Sequence, residues 1–205
     1  MHMERSGLRR LIPIAVVVIV IGIAIFALVS VGRSLFSGGS TPSPSTTPVN
    51  VGKQALTNTL ADRSVRMTVR GPLVATENFR SYTITVSPDT RNMTTLKGYD
   101  SQQIDNKQMT NTLQAYEQFV YALDRAKLMD GTPLTGDAND MRGICASGTI
   151  YEFDVLQGSN VIQGLWTSTC TGSKGSLKAS LSQITSLFRA QIPDFSQLVS
   201  KISLS

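Results

Sequence analysis

The sequence predicts an α+β fold, an antiparallel β-sheet of hairpins packed against helices, placed after one N-terminal transmembrane helix. Three features carry that expectation. An apolar run of 21 residues from Leu11 to Val31 contains no charge. Several later stretches alternate apolar and polar residues with the period of two that marks half-buried strands. Others repeat apolar residues every three or four positions, as one helix face does, and strands and helices come in blocks rather than in turn.

The apolar run is long enough to cross a hydrocarbon core of about 30 Å as a helix. It exceeds the short apolar core of a cleaved signal peptide, and no good small-x-small cleavage site follows it. Arg9 and Arg10 precede it while only Arg33 follows closely, so the positive-inside bias puts the N-terminus in the cytoplasm. The expected organisation is a cytoplasmic tail over 1–10, a membrane span over 11–32 and a stalk over 33–50 rich in Ser, Thr, Pro and Gly. An extracytoplasmic domain over 51–205 completes it.

Within that domain, Val51 to Arg63 reads as a short amphipathic helix. Val65, Met67 and Val69 form one strand, and Tyr82, Ile84 and Val86 another. Ser87-Pro88-Asp89-Thr90 is a turn with proline at its second place, which sets Met93 opposite Ile84 in a hairpin. From Met109 to Leu128 the positions Leu113, Tyr116, Val120 and Leu123 share a helix face. Two further helices close the chain. The first is capped by Ser176, carries Leu177, Leu181, Ile184 and Phe188, and ends before Pro193. The second opens on an Asp194–Gln197 capping box, with Phe195, Leu198, Val199 and Ile202 inward.

Cys145 and Cys170, the two cysteines of the chain, both lie in the exported part, where thiols oxidise, so they are expected to pair. Taken as a cross-strand pair in a hairpin over 142–170, they set Tyr151 against Gly164, Phe153 against Ile162 and Val155 against Asn160. The turn then falls on Gln157-Gly158-Ser159-Asn160.

The single histidine, His2, precedes the span, which removes histidine-dependent nucleophiles and histidine-ligated metals from the domain. No Ser-x-x-Lys occurs, and no cofactor motif is present. Glu152 and Asp154, two apart on a strand, project from one face at a spacing that glycosidases use, although a solvated outer face is the plainer account. Asp130, Asp137, Asn139 and Asp140 crowd a loop but fail the EF-hand spacing. Gly172-Ser173-Lys174-Gly175-Ser176 combines a cation, flexible backbone and an expected helix start, and is the candidate anion-binding turn; the alternative is a turn with a helix cap. Net charge is +5, of which the cytoplasmic tail holds part, and the remaining basic residues are scattered. That distribution argues against nucleic acid as a partner.

The wording Gly143-x-Cys145-x-x-Gly148-x-x-Tyr151-x-Phe153, followed by Leu165 to Gly172 with Lys174-Gly175-Ser176 and by Leu187-Phe188-x-x-Gln191-Ile192-Pro193-Asp194, resembles single-pass surface proteins of ultrasmall bacteria that live on other cells. The resemblance covers about a quarter of the chain, from Gly143 to Asp194, and implies no activity, cofactor or site residue. The expectation is a non-catalytic module at the cell membrane, anchored in the bilayer through 11–32, that binds an envelope component or a protein partner. A subunit of an envelope complex and a carboxylate-dependent envelope enzyme are the alternatives.

Overall fold

The computed structural model describes residues 50–172 and 175–204. The predicted tail, span and all but the last residue of the stalk lie outside them. Among the described residues no helix is long and apolar enough to cross a membrane.

Six antiparallel strands form one sheet in the order β4-β3-β2-β1-β5-β6. A short helix α1 (Val51–Thr57) leads into β1 (Arg63–Arg70), β2 (Arg80–Val86), β3 (Thr90–Lys97) and β4 (Gln102–Thr110), a meander. Helix α2 (Leu113–Arg125) then carries the chain across the inner face, so that β5 (Ile150–Gln157) pairs with β1 and β6 (Asn160–Ser168) forms the far edge. Helices α3 (Leu181–Arg189) and α4 (Phe195–Ser200) close the chain.

The core lies between the inner face of the sheet and these helices. Val65, Met67, Ile84, Met93, Phe153 and Leu165 meet Tyr116, Phe119, Val120, Leu123, Ile184 and Phe188 there. The stripe on α2 is 116, 119, 120 and 123, the spacing that puts side chains on one face. Phe119 belongs to it, whereas the predicted member Leu113 is 49 % exposed in the first turn. The β2–β3 hairpin has the predicted register, with Ile84 opposite Met93. Its turn is closed by the Ser87 N–H donating to Thr90 O at 2.8 Å and by the Thr90 N–H donating to Ser87 Oγ at 3.0 Å.

The β5–β6 hairpin turns at Gly158-Ser159 as expected, but its register differs. Phe153 faces Leu165, Asp154 faces Gly164 and Glu152 faces Trp166. The cause is local. The last ladder bond runs from the Thr169 N–H to Thr149 O, which brings Cys170 level with Gly148 and not with Cys145. Residues 145–148 make a turn, and that turn carries Cys145 back over the three intervening positions to reach Cys170. The register is therefore displaced by three over Ile150–Val155 and by two between the bulge at Val155/Leu156 and the turn, and the odd displacement exchanges the faces of β6 opposite Ile150–Val155.

The helix expected from Met109 starts instead at Leu113, and strand β4 occupies residues for which the sequence predicted no element. Its sequence, QQIDNKQMT, is polar on both faces, as an edge strand can be, and so carries no apolar alternation to read. Its inward residues Asp105 and Lys107 pair with Lys201 at 2.6 Å and Asp194 at 2.8 Å. Asp194 is thus the N-cap of α4 without a side-chain capping bond, and the expected capping box is absent. Likewise Ser176 does not cap α3. The helix starts at Leu181, and the Ser176 hydroxyl instead accepts the outward N–H of Trp166 on β6 at 2.9 Å. Leu177 N–H then donates to Trp166 O, so 176–177 seal that half of the sheet edge.

Candidate functional site

Between α2 and β5 the chain crosses to the outer face of the sheet. Leu128 and Met129 remain in the core, in a 3-10 turn, and a second such turn spans Gly136–Asn139. Asn139 Oδ1 accepts from the indole N–H of Trp166 at 3.1 Å, so this loop buries a tryptophan that the sheet alone would leave open. The disulfide pins the loop to the strand end at Cys170. Gly148 is small because the sulfurs are there: a Cβ at this position would lie 2.7 Å from Cys145 Sγ and 2.6 Å from Thr169 Oγ1.

A second loop, between β1 and β2, approaches from the other side. Leu73 N–H donates to Ala146 O at 2.8 Å and ties the two loops together. The Tyr99 hydroxyl donates to Val74 O at 2.7 Å and accepts from Val74 N–H at 3.2 Å, and its ring stacks on Phe79 with centroids 4.2 Å apart. These contacts leave a cleft of about 330 Å³, floored by Leu73, Phe79, Tyr99, Met141, Cys145 and Ile150. Leu73, Val74, Tyr99 and Ile144, all in this loop cluster or at its edge, are exposed large apolar residues. Grouped exposure of this kind marks contact surfaces more often than scattered single residues do.

Two arginines stand at the rim. Arg70 is paired with Glu152 across the strands. Arg142 is paired with Asp140 at 2.5 Å, and its hydrogen bonds hold the Asp140 carboxyl down to about 2. Arg142 projects into solvent with its side chain 91 % exposed, and a guanidinium has more donors than one carboxylate uses. The arrangement suits an apolar or aromatic group held in the cleft, with a polar end at the rim.

Glu152 and Asp154 do share the outer face, as predicted. Each is engaged by an arginine, Asp154 accepting from Arg66 Nε at 3.1 Å and Nη2 at 2.8 Å, and Asp154 is only 8 % exposed. Of the acidic loop, Asn139 serves Trp166 and Asp140 serves Arg142. No group of three metal-ligating side chains occurs among the described residues. Of the candidate anion-binding turn, Ser173 and Lys174 lie outside the described residues. Gly172 takes a left-handed conformation at φ +85°. Gly175 is packed on the Trp166 carbonyl, where a Cβ would lie 2.4 Å from the oxygen, and Ser176 is buried. The cleft residues Leu73, Phe79 and Tyr99 escaped sequence reasoning. The available signal was Leu73-Val74 and Phe79 in a loop opened by Gly71-Pro72, apolar side chains with no strand or helix period to place them. No protein-family profile matches the chain, and no curated protein matches it.

Proposed function

We propose that the chain is a membrane-anchored extracytoplasmic binding module without catalytic activity, with 11–32 in the cell membrane, the N-terminus cytoplasmic and 51–205 outside. Its ligand is an envelope component or protein partner that inserts an apolar or aromatic group into the cleft between the two loops. The observation that carries this reading is the cleft itself, an apolar floor with stacked aromatics and a guanidinium rim, stapled by a disulfide suited to an oxidising compartment. A photo-crosslinking residue at Leu73 of the full chain, in cells, tests it. The expected result is a discrete adduct with one envelope species that is absent when the same residue is placed at Gln108, on the far strand. Equal labelling at both positions would remove the cleft as the binding site, and labelling of surface lysines by an impermeant reagent only after lysis would remove the topology.

A second reading, a subunit of an envelope complex, is supported by the other end of the sheet. Val161 and Ile162 on edge strand β6 are 50 % and 41 % exposed beside a groove lined by Pro133, Leu134 and Met141. A free edge with apolar side chains is a template for strand addition. Crosslinks from Ile162, with none from Leu73, would favour it.

A further inference from the structure

We infer that the cavity between the end of α2 and the start of α3 is an anion site that takes a phosphate group. This cavity, about 510 Å³, is lined by Arg125, Lys127, Lys178, Ser180 and Gln183, with Asp130 as its one carboxylate. Elsewhere the described cations are mostly engaged: Lys53, Arg66, Arg70, Lys107, Arg142 and Lys201 each have a carboxylate within 3.0 Å. Arg125, Lys127 and Lys178 form no ion pair among the described residues, yet they converge on one concavity. Arg125 and Lys127 have a plain local reason to stand where they do, since cations favour the carbonyl end of a helix. Lys178 has no such reason, because it arrives from a segment some fifty residues later and lies before α3, not at the end of α2.

By its conformation Lys127 ends α2 and sets where its side chain leaves the helix. It adopts φ +62°, a left-handed conformation that costs a lysine more than a glycine, at a site where glycine or asparagine is the common helix terminator. Three positive charges against one negative leave an excess that a phosphate monoester or diester would neutralise. A planar guanidinium can bind two of its oxygens while the two ammonium groups act as point charges, and Ser180 and Gln183 supply neutral donors.

The place of the cavity in the domain suggests where the phosphate comes from. Asn50, the first described residue, donates from Nδ2 to Met129 O at 3.0 Å, one residue before Asp130 in the lining. Lys53 joins α1 to Asp124, beside Arg125, at 3.0 Å. The chain therefore enters the domain next to the cationic cavity. If 11–32 lies in the bilayer, as proposed above, the stalk over 33–50 links that end to a membrane whose headgroups carry phosphate; this assignment of source, though not the site, rests on that reading.

Two arms separate the site from its source. Full-length protein in nanodiscs of phosphatidylcholine, with and without phosphatidylglycerol, is followed by amide hydrogen exchange at 125–130 and 178–183. Inorganic phosphate is then titrated into the phosphatidylcholine discs. Slower exchange with phosphatidylglycerol that fades with salt is the expected result. Loss of roughly tenfold in apparent affinity is expected for Lys178→Gln, and loss of the effect for the variant R125Q/K127Q/K178Q with unchanged melting. Protection by inorganic phosphate alone would keep the site and reassign its source. Protection by neither, or protection that survives the triple substitution, would overturn it. Failure of the chain to enter discs would remove the membrane reading, while phosphate titration of the protein in detergent still decides the site.

Discussion

Gly148 and the disulfide it touches form a tight side-chain constraint beside the cleft. Gly148→Ala would drive a methyl group against Cys145 Sγ and against the Thr169 hydroxyl, which is itself held by the Thr149 N–H at 2.9 Å. Neither contact is the free end of a flexible chain, so a loss of about 1–3 kcal/mol in oxidised protein is expected by denaturant unfolding. The same substitution should cost less in a C145S/C170S background, where the bridge no longer fixes the sulfur position; an equal cost would show that the bridge is not what excludes the methyl group. Asp140 gives a pH prediction. Its carboxyl lies below the ordinary 3.8 because Arg142 donates to it, so the contact is intact above pH about 4 and is lost as pH falls toward about 2. Carbon-detected titration should place the Asp140 midpoint near 2, and Arg142→Gln should return it toward the ordinary range. Because the pair sits at the surface, with Arg142 91 % exposed, the change is local to the rim and should not appear in the melting curve.

At the scale of elements, α4 is held to the sheet by apolar contact and by ions, and magnitudes decide between them. Lys107 and Asp194 are each more than two-fifths exposed, so their pair is worth no more than about 1 kcal/mol. Leu198 is 7 % exposed in the core, and the Tyr82 and Phe195 rings meet edge to face nearby, with centroids 5.7 Å apart. Leu198→Ala is expected to cost about 2–4 kcal/mol, and Lys107→Ala under 1 kcal/mol, in the same unfolding assay. The reverse order would mean that α4 is an electrostatic strap rather than a packed helix. The ion pairs on β4 do have a structural use. Charges on the inward face of an edge strand make that strand a poor template for adding a further strand.

For the whole domain, the bridge closes a separation of 25 residues, which corresponds to about 3 kcal/mol in the chain-entropy account. It ties the cleft loop to the end of β6, while the inner core is built from helices and strands that do not need it. Reduced protein, or C145S/C170S, is therefore expected to melt lower but still cooperatively, with the largest rise in hydrogen exchange over 131–148. Non-cooperative melting after reduction would show that the loop is required for the core.

The local periods in the sequence determined much of this domain by themselves. An α+β class, the β2–β3 register, the inward faces of α2 and α3, and the turn at Gly158 all follow from apolar spacing and turn residues within a dozen positions of each other. The disulfide partners were also legible, because only two cysteines exist. What lies at longer range was decided by the tertiary structure. The β5–β6 register turned on a three-residue detour before the strand, β4 on pairing that its polar side chains do not announce, and Ser176 on an outward strand N–H ten residues away. The cleft needed two loops, one near Leu73 and one near Met141, brought together by the sheet. Its residues share no period, and proximity without periodicity leaves no mark in a single sequence.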